Sequence, residues 1–365
     1  MTAERIRVGI IGANVDYGWG VRAHIPAIQA LPEFELVAVC TTRMETAEET
    51  ARQFDVPLAF DDHRELVSRP DIDLVLVCVR VASHQLLVTA ALEAGKHVFC
   101  EWPLAVSTEQ AVAMRDLADA QGVRHMVGLQ ARGAPAINRM RELIEGGYVG
   151  EVLATTMRSS GGGLGRRPST LSWTLDNTLG GTGLTISGGH SLDLLRYCLG
   201  EFEQVSGTVA RSIDSATLTD TGETVEVTAP DNVLVSGRLT SGAVASIHIK
   251  SVPAHGTGFH FEVHGTEGAI VATSDSGVQG ADVTLLGARN DEPTLAELPL
   301  ESGDRWVPAE TPAGPPLNVA QLFRRLAERI RDGAPADPDF GNAVILHRLL
   351  DAIQSASDSG ERQTL

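Results

Sequence analysis

The chain opens on a short, uninterrupted apolar run, Ile6–Ile11, followed at once by glycines. A strand buried on both faces reads this way, because a parallel sheet covered by helices has no polar side. Comparable runs recur at Phe34–Cys40, Asp73–Val79, His97–Cys100 and Val123–Leu129. Between them the apolar positions change to the three-to-four-residue spacing of amphipathic helices, over Glu45–Phe54 and His84–Ala94. Gly95 stops the second helix. Ser107 with Gln110 three residues on has the form of a capping box, opening a helix that ends near Gly122. This alternation predicts a parallel sheet with helices on both faces, an α/β fold, over residues 1–128. Farther on the runs become short strands, at Val233–Leu239, Val244–Lys250, Phe259–His264 and Ala269–Thr273, as in a mixed or antiparallel sheet. Gly181–Leu199 reads as a glycine-rich helix, and Gly161–Arg167 (GGGLGRR) as a mobile loop. Ala309–Pro316 is a proline-rich connector, and Val319–Asp332 and Asn342–Ser355 are the closing helices.

Length and charge narrow the picture. A chain of 365 residues exceeds one ordinary core, so a second domain over 129–340 and a C-terminal helix and tail over 341–365 are expected. The net charge of −18 repels phosphate backbones and anionic bilayers, and Arg166–Arg167 is no nucleic-acid footprint. No apolar run reaches membrane-spanning length, and the first residues lack signal-peptide anatomy. The four cysteines stand singly, without metal-ligand spacing, as buried thiols of a reducing, cytoplasmic setting do. No metal site is expected.

Candidate chemistry begins at the glycines. Gly12, Gly18 and Gly20 follow the first strand, with Asn14 where a second fingerprint glycine belongs and the loop lengthened before Gly18. Such a turn lets a pyrophosphate approach backbone N–H groups at a helix start, so these four residues are the candidate dinucleotide cradle. The second strand ends Cys40-Thr41-Thr42-Arg43, with no carboxylate to hold an adenosine 2′-hydroxyl. Hydroxyls and a guanidinium suit a 2′-phosphate, so NADP is preferred over NAD. The competing reading makes Arg43 a solvated helix-start residue.

The stretch DLVLVCVRVASHQLLVTAALEAGKHVFCEWPL (73–104) resembles the glucose–fructose oxidoreductase, inositol dehydrogenase and MocA family. The resemblance continues through Val127–Val152, Gly180–Gly200 and Asp339–Leu365. The long loop after Gly12, the EWPL motif and LQARGAP resemble the branch containing the yeast galactose-regulon repressor. The resemblance implies a Rossmann domain followed by an α/β domain with a large open mixed sheet, the active site lying at the nicotinamide. It places His84 and Glu101 among the cofactor-binding residues. A broad sheet favours a homodimer or homotetramer.

Hydride transfer to or from an alcohol needs a group that moves the hydroxyl proton. The family's Lys of Glu-Lys-Pro corresponds to Trp102 here, and the Asp of its Asp-x-x-x-His pair to Ile186; His190 remains. His190 is therefore the candidate acid/base, with a structural histidine as the alternative. Trp102, Arg132, Asp193 and Asn177 are candidate substrate contacts, with Trp173 and Asp176 beside them. For each a bland reading stands: a space-filling Trp, a solvated Arg, a structural Asp. Two functions stay open. One is an NADP-dependent oxidoreductase acting on a sugar, cyclitol or similar polyol. The other is a non-catalytic NADP-binding regulator or sensor with a protein partner.

Overall fold

The computed structural model describes residues 4–280 and 283–365. The chain forms two compact units, Met1–Gly133 with Arg305–Val344, and Ala134–Asp304 with Ile345–Leu365.

In the first unit, β1 (Ile6–Ile11), β2 (Phe34–Cys40), β3 (Leu58–Phe60), β4 (Leu74–Val77), β5 (His97–Glu101) and β6 (His125–Gly128) make one sheet. Its order is β3-β2-β1-β4-β5-β6, and every pair is parallel. All four residues of β4 are buried, as its unbroken apolar run requires. Strand order reverses between β1 and β4, and a doubly wound sheet opens its ligand crevice at such a switch, beyond the strand C-termini. Ser107 accepts from the Gln110 N–H at 3.4 Å, one half of the expected capping box, and Gly122 ends the Thr108–Gln121 helix in the left-handed conformation, as expected. The sequence did not reveal β3 or the following His63–Ser68 helix, which are too short to show a period.

One boundary needs correction. Arg305–Val344 belongs to the first unit, although residues 305–340 were expected in the second domain and 341–344 in the C-terminal helix and tail. The helix Pro315–Asp332 buries Phe323 against Phe34 and Phe99, at ring-centroid distances of 5.4 and 5.0 Å. Such long-range apolar matching is invisible to a reading that follows the chain in order.

The second unit carries a nine-stranded mixed sheet. From one edge to the other its strands are Ala296–Glu297, Thr284–Arg289, Gly268–Ser274, Gly258–Gly265, Val152–Gly161, Val244–Ser251, Asn232–Leu239, Phe202–Ala210 and Gln363–Thr364. Among its described residues only Val152–Gly161 and Val244–Ser251 pair in parallel. Met157, Val235, Ile247 and Phe261 are buried on one face, while Thr156, Leu234 and Ser246 on the other are exposed. The last helix, Phe340–Ser359, is longer than expected. It packs on the sheet at Gly207, where a Cβ would meet the Ile353 carbonyl at 2.9 Å, and the tail adds the edge strand. The expected mobile loop is corrected at both ends: Gly161 closes the strand Val152–Gly161, and Arg166–Arg167 is a strand beside Ser215–Leu218. The Thr217 and Thr219 N–H groups donate to Gly165 and Arg167 carbonyls, both at 2.8 Å, so backbone pairing holds it.

Candidate functional site

At the switch point, Gly12 takes φ +101°. A Cβ there would collide with the Cys78 carbonyl at the end of β4, so only glycine permits this turn. The lengthened loop is a tight turn of its own: Asn14 accepts the Asp16 N–H through its side chain at 2.9 Å and the Tyr17 N–H through its backbone at 3.3 Å. Gly18 takes φ +107°. A Cβ on Gly20 would lie 3.2 Å from the Ala13 Cα, so the helix start packs directly on the glycine turn. That start, Gly20–His24, is a π-turn, leading into the helix Ile25–Gln29. Gly12, Asn14, Gly18 and Gly20 thus share one loop at the crevice.

At the end of β2 the three expected residues part company. Thr41 is buried, its hydroxyl 2.8 Å from the Arg43 carbonyl and 2.6 Å from the Thr46 hydroxyl, and it shapes the turn. Thr42 and Arg43 are exposed.

Beneath β5 lies a cluster the sequence did not announce. The Glu101 carboxylate faces His24 Nε2 at 2.6 Å and accepts from Gln130 Nε2 at 2.7 and 3.0 Å. It fills the space a Cβ on Gly128 would need, at 2.7 Å. His24 is fully buried, with its ring edge-on to Phe99 and Phe323. Glu101, read as a cofactor contact, is therefore held by the protein itself. The same is true of His84, which is buried: Nδ1 lies 2.9 Å from the Pro103 carbonyl and Nε2 3.1 Å from that of Val79. Burial lowers its pKa. His84 ties the end of β4 to the Glu101-Trp102-Pro103 turn, where Trp102 is buried. Arg132 also differs from expectation: it is buried and donates to Asp337 Oδ1 at 2.6 Å, an ion pair inside the first unit. The only sequence hint of these partners was their place next to matched motifs.

In the second unit the expected helix 181–199 is a π-turn, Gly183–Gly188, running into the α-helix Gly189–Leu199. Thr182 and Thr185 cap it reciprocally, the Thr185 N–H donating to Thr182 Oγ1 at 3.2 Å and the Thr182 N–H to Thr185 Oγ1 at 2.8 Å. Turns of this kind concentrate at functional sites. Gly181 has no room for a side chain because the Trp173 ring lies where its Cβ would be. His190 and Asp193 are buried on this helix, Asp193 lying 3.7 Å from Arg196, which is also bound to Glu201 at 2.6 Å. Asn177 is exposed in a 3-10 turn and donates its backbone N–H to Thr228 Oγ1 at 2.9 Å. Asp176 caps that turn, accepting the Thr178 N–H at 2.8 Å. Beside the π-turn opens a polar cavity of about 460 Å³, lined among others by Ser159, Ser187, Ser191, Asp231, Lys250 and Asp275. That volume suits a small-molecule site.

All four cysteines are free and buried; burial pushes Cys40 up to about 12 and Cys78 and Cys100 well above the ordinary thiol range. Among the described residues no group of three or more His, Cys, Asp or Glu could hold a metal ion, and no helix is long and apolar enough to cross a membrane.

Comparison with known proteins matches residues 6–129 to the oxidoreductase family with an NAD-binding Rossmann fold, and residues 135–274 to the C-terminal domain of Gal80p. The chain is 30% identical over 324 residues to the galactose/lactose metabolism regulatory protein GAL80 of Saccharomyces cerevisiae, covering 83% of this chain and 74% of that one. It is 32% identical over 291 residues to the levoglucosan dehydrogenase of Pseudarthrobacter phenanthrenivorans, covering 73% of each. The chain belongs to the GFO/IDH/MocA family, with a Gal80-like C-terminal domain. Solved structures superpose over nearly the whole length. A Klebsiella pneumoniae NAD binding oxidoreductase gives a TM-score of 0.87 at 26% identity, covering 99% of both chains. Levoglucosan dehydrogenase in complex with NADH and L-sorbose gives 0.86 at 26%, covering 99% of this chain and 98% of that one. In this GFO/IDH/MocA chain the first unit carries the NAD-binding Rossmann fold of the family.

Proposed function

We propose that the protein is an NADP-dependent oxidoreductase that moves a hydride to or from a sugar, cyclitol or related polyol. The glycine turn carries this reading: Gly12 is conformationally fixed, backs onto β4 at the switch point and opens onto a helix start, which fits a dinucleotide pyrophosphate. When bound, the nicotinamide supplies the hydride acceptor or donor. Gly12, Asn14, Gly18 and Gly20 would cradle the pyrophosphate. Exposed Thr42 and Arg43 would hold the adenosine 2′-phosphate, and the absence of a carboxylate at the end of β2 removes the repulsion that NADP meets in NAD-selective sites. His84 and Glu101 act at one remove, fixing the Trp102-Pro103 turn between a histidine bonded to backbone and a carboxylate bonded to Gln130.

In the second unit His190 takes or returns the hydroxyl proton, a neutral imidazole offering one acceptor nitrogen and one N–H. Trp102, which has no proton to exchange in that role, supplies an apolar wall. Cytoplasmic residence is supported by the four buried free thiols, and a homodimer or homotetramer by the breadth of the second sheet.

Absorbance at the nicotinamide band, followed while NADP-saturated protein meets a panel of sugars and cyclitols, tests the catalytic reading. Turnover is expected with at least one polyol, and His190→Ala should abolish it. A second reading is favoured by Trp102 and Ile186 standing at the family's Lys and Asp positions and by the 83% coverage against GAL80. It makes the dinucleotide a ligand that controls binding to a protein partner. Tight NADP binding with a flat absorbance screen would favour it and sink catalysis. Cofactor choice is tested separately. Arg43→Ala should weaken NADP about 10- to 100-fold, as loss of a charge-assisted contact does, and leave NAD unchanged.

A further inference from the structure

Next to the polar cavity lies a second one, of about 200 Å³, lined among others by Leu164, Leu171, Leu175, Ile186, Ile213 and Val227. The two share Arg167, Gly183, Ser187, Asp231 and Ser251, so they adjoin along a common wall. At Gly183 in that wall two chain segments pack backbone to backbone: a Cβ there would sit 2.6 Å from the Pro230 carbonyl. The chambers differ in chemistry. The larger offers the Ser159, Ser187 and Ser191 hydroxyls and the Lys250 ammonium. The smaller, away from the shared wall with its Arg167 and Asp231, offers mainly aliphatic side chains and includes the core cluster of Leu175 and Val227, with Ile213 packed against it.

Lys250 sharpens the contrast. The chain has two lysines, Lys96 and Lys250. Lys96 is occupied, donating to the Arg69 and Ile72 carbonyls at 2.6 and 2.8 Å. Lys250 lies at the cavity wall, on the strand Val244–Ser251.

We propose that the second unit takes an amphiphilic polyol, a hydroxylated ring carrying an apolar substituent, as in an alkyl or aryl glycoside. The ring sits in the polar chamber under Ser187, Ser191 and Lys250, and the substituent crosses the shared wall into the more apolar one. This rests on the polyol reading above and names the substrate class for it. It also gives Ile186 a purpose. An aspartate at that position would put a charge among Leu164, Leu171, Leu175 and Val227, whereas isoleucine extends that aliphatic side. A bare sugar leaves that lining without a partner. Each methylene that enters it is worth about fourfold in affinity.

Calorimetric titration of the full-length, NADP-saturated protein tests this. The probes are glucose, galactose and mannose, with their methyl, butyl and hexyl glycosides. For the ring that binds, affinity is expected to climb about fourfold per methylene until the chamber fills. Ile213→Trp, which occupies the chamber, should bring the hexyl glycoside down to the affinity of the methyl one while leaving the methyl glycoside within about twofold. Ile186→Asp is a second, smaller change and should do the same. Lys250→Met should weaken all lengths alike, by about tenfold. Binding that ignores chain length, or an Ile213→Trp loss equal at every length, overturns the amphiphile and leaves the polyol reading standing. If no ring binds at any length, both fall.

Discussion

At the scale of single residues, the candidate site depends on absent side chains as much as on present ones. Gly128→Ala would push a methyl group into the Glu101 carboxylate. Displacing that group from His24 and Gln130 leaves buried polar atoms without partners, at a cost of about 1–3 kcal/mol. Thermal melts should show the loss, and an unchanged melting temperature would contradict the tight fit. Gly181→Ala collides with the Trp173 ring, so it should destabilise the second unit. Adding Trp173→Ala should recover much of that loss, whereas an additive double variant would mean the two residues do not interact. The sequence made Gly12, Gly18 and Gly20 legible, because a glycine turn after a buried strand has a physical meaning by itself. It gave no sign of the Glu101–His24–Gln130 cluster. Those residues are far apart in sequence, and a satisfied buried carboxylate reads the same as any other glutamate until the fold is known. Arg132 misled for a related reason: its partner Asp337 lies 205 positions away.

At the scale of elements, strands buried on both faces were read almost to the residue, since few folds besides a covered parallel sheet accommodate an unbroken apolar run of that length. Short pieces such as Leu58–Phe60 escaped, and so did the polar strand Phe202–Ala210, whose alternation is shallow. Neither π-turn was legible, because backbone widening has no residue signature beyond a supply of glycine. The one at Gly183–Gly188 depends on its cap. Thr182→Ala removes one half of the reciprocal Thr182–Thr185 pair and is expected to cost about 1 kcal/mol. Amide hydrogen exchange should then quicken over 183–188 while the following α-helix stays protected. Equal loosening of Gly189–Leu199 would show that the cap stabilises the whole element and not its first turn.

At the scale of the molecule, buried histidines set the response to acid. His347 is pushed down to about 4 by burial. The unfolded chain, with an ordinary imidazole near about 6.5, binds the proton first as pH falls. Its contribution is therefore whole above about pH 6.5 and drains away toward pH 4, reaching about 3 kcal/mol. Burial moves His84, His97 and His125 in the same direction, so they steepen the same slope. Denaturant midpoints across pH 7 to 4 should fall steadily, and His347→Leu should flatten part of that fall; an identical slope in the variant would remove His347 from the account. Domain count was legible from length, but the assignment of Arg305–Val344 was not, because apolar helices carry no label for the core they join.

That return of the chain has a consequence in time. Ribosomes deliver residues in order, and Phe323 emerges after nearly the whole second unit has been made. At about 5–20 residues per second, the aromatic surface around Phe34 and Phe99 waits about 10–40 s for its cover. The nascent first unit is exposed for that interval, and a chain stopped after Gly133 stays exposed for good. Such a fragment is expected to be bound by chaperones or to aggregate, and supplying residues 305–344 as a separate peptide should restore its solubility.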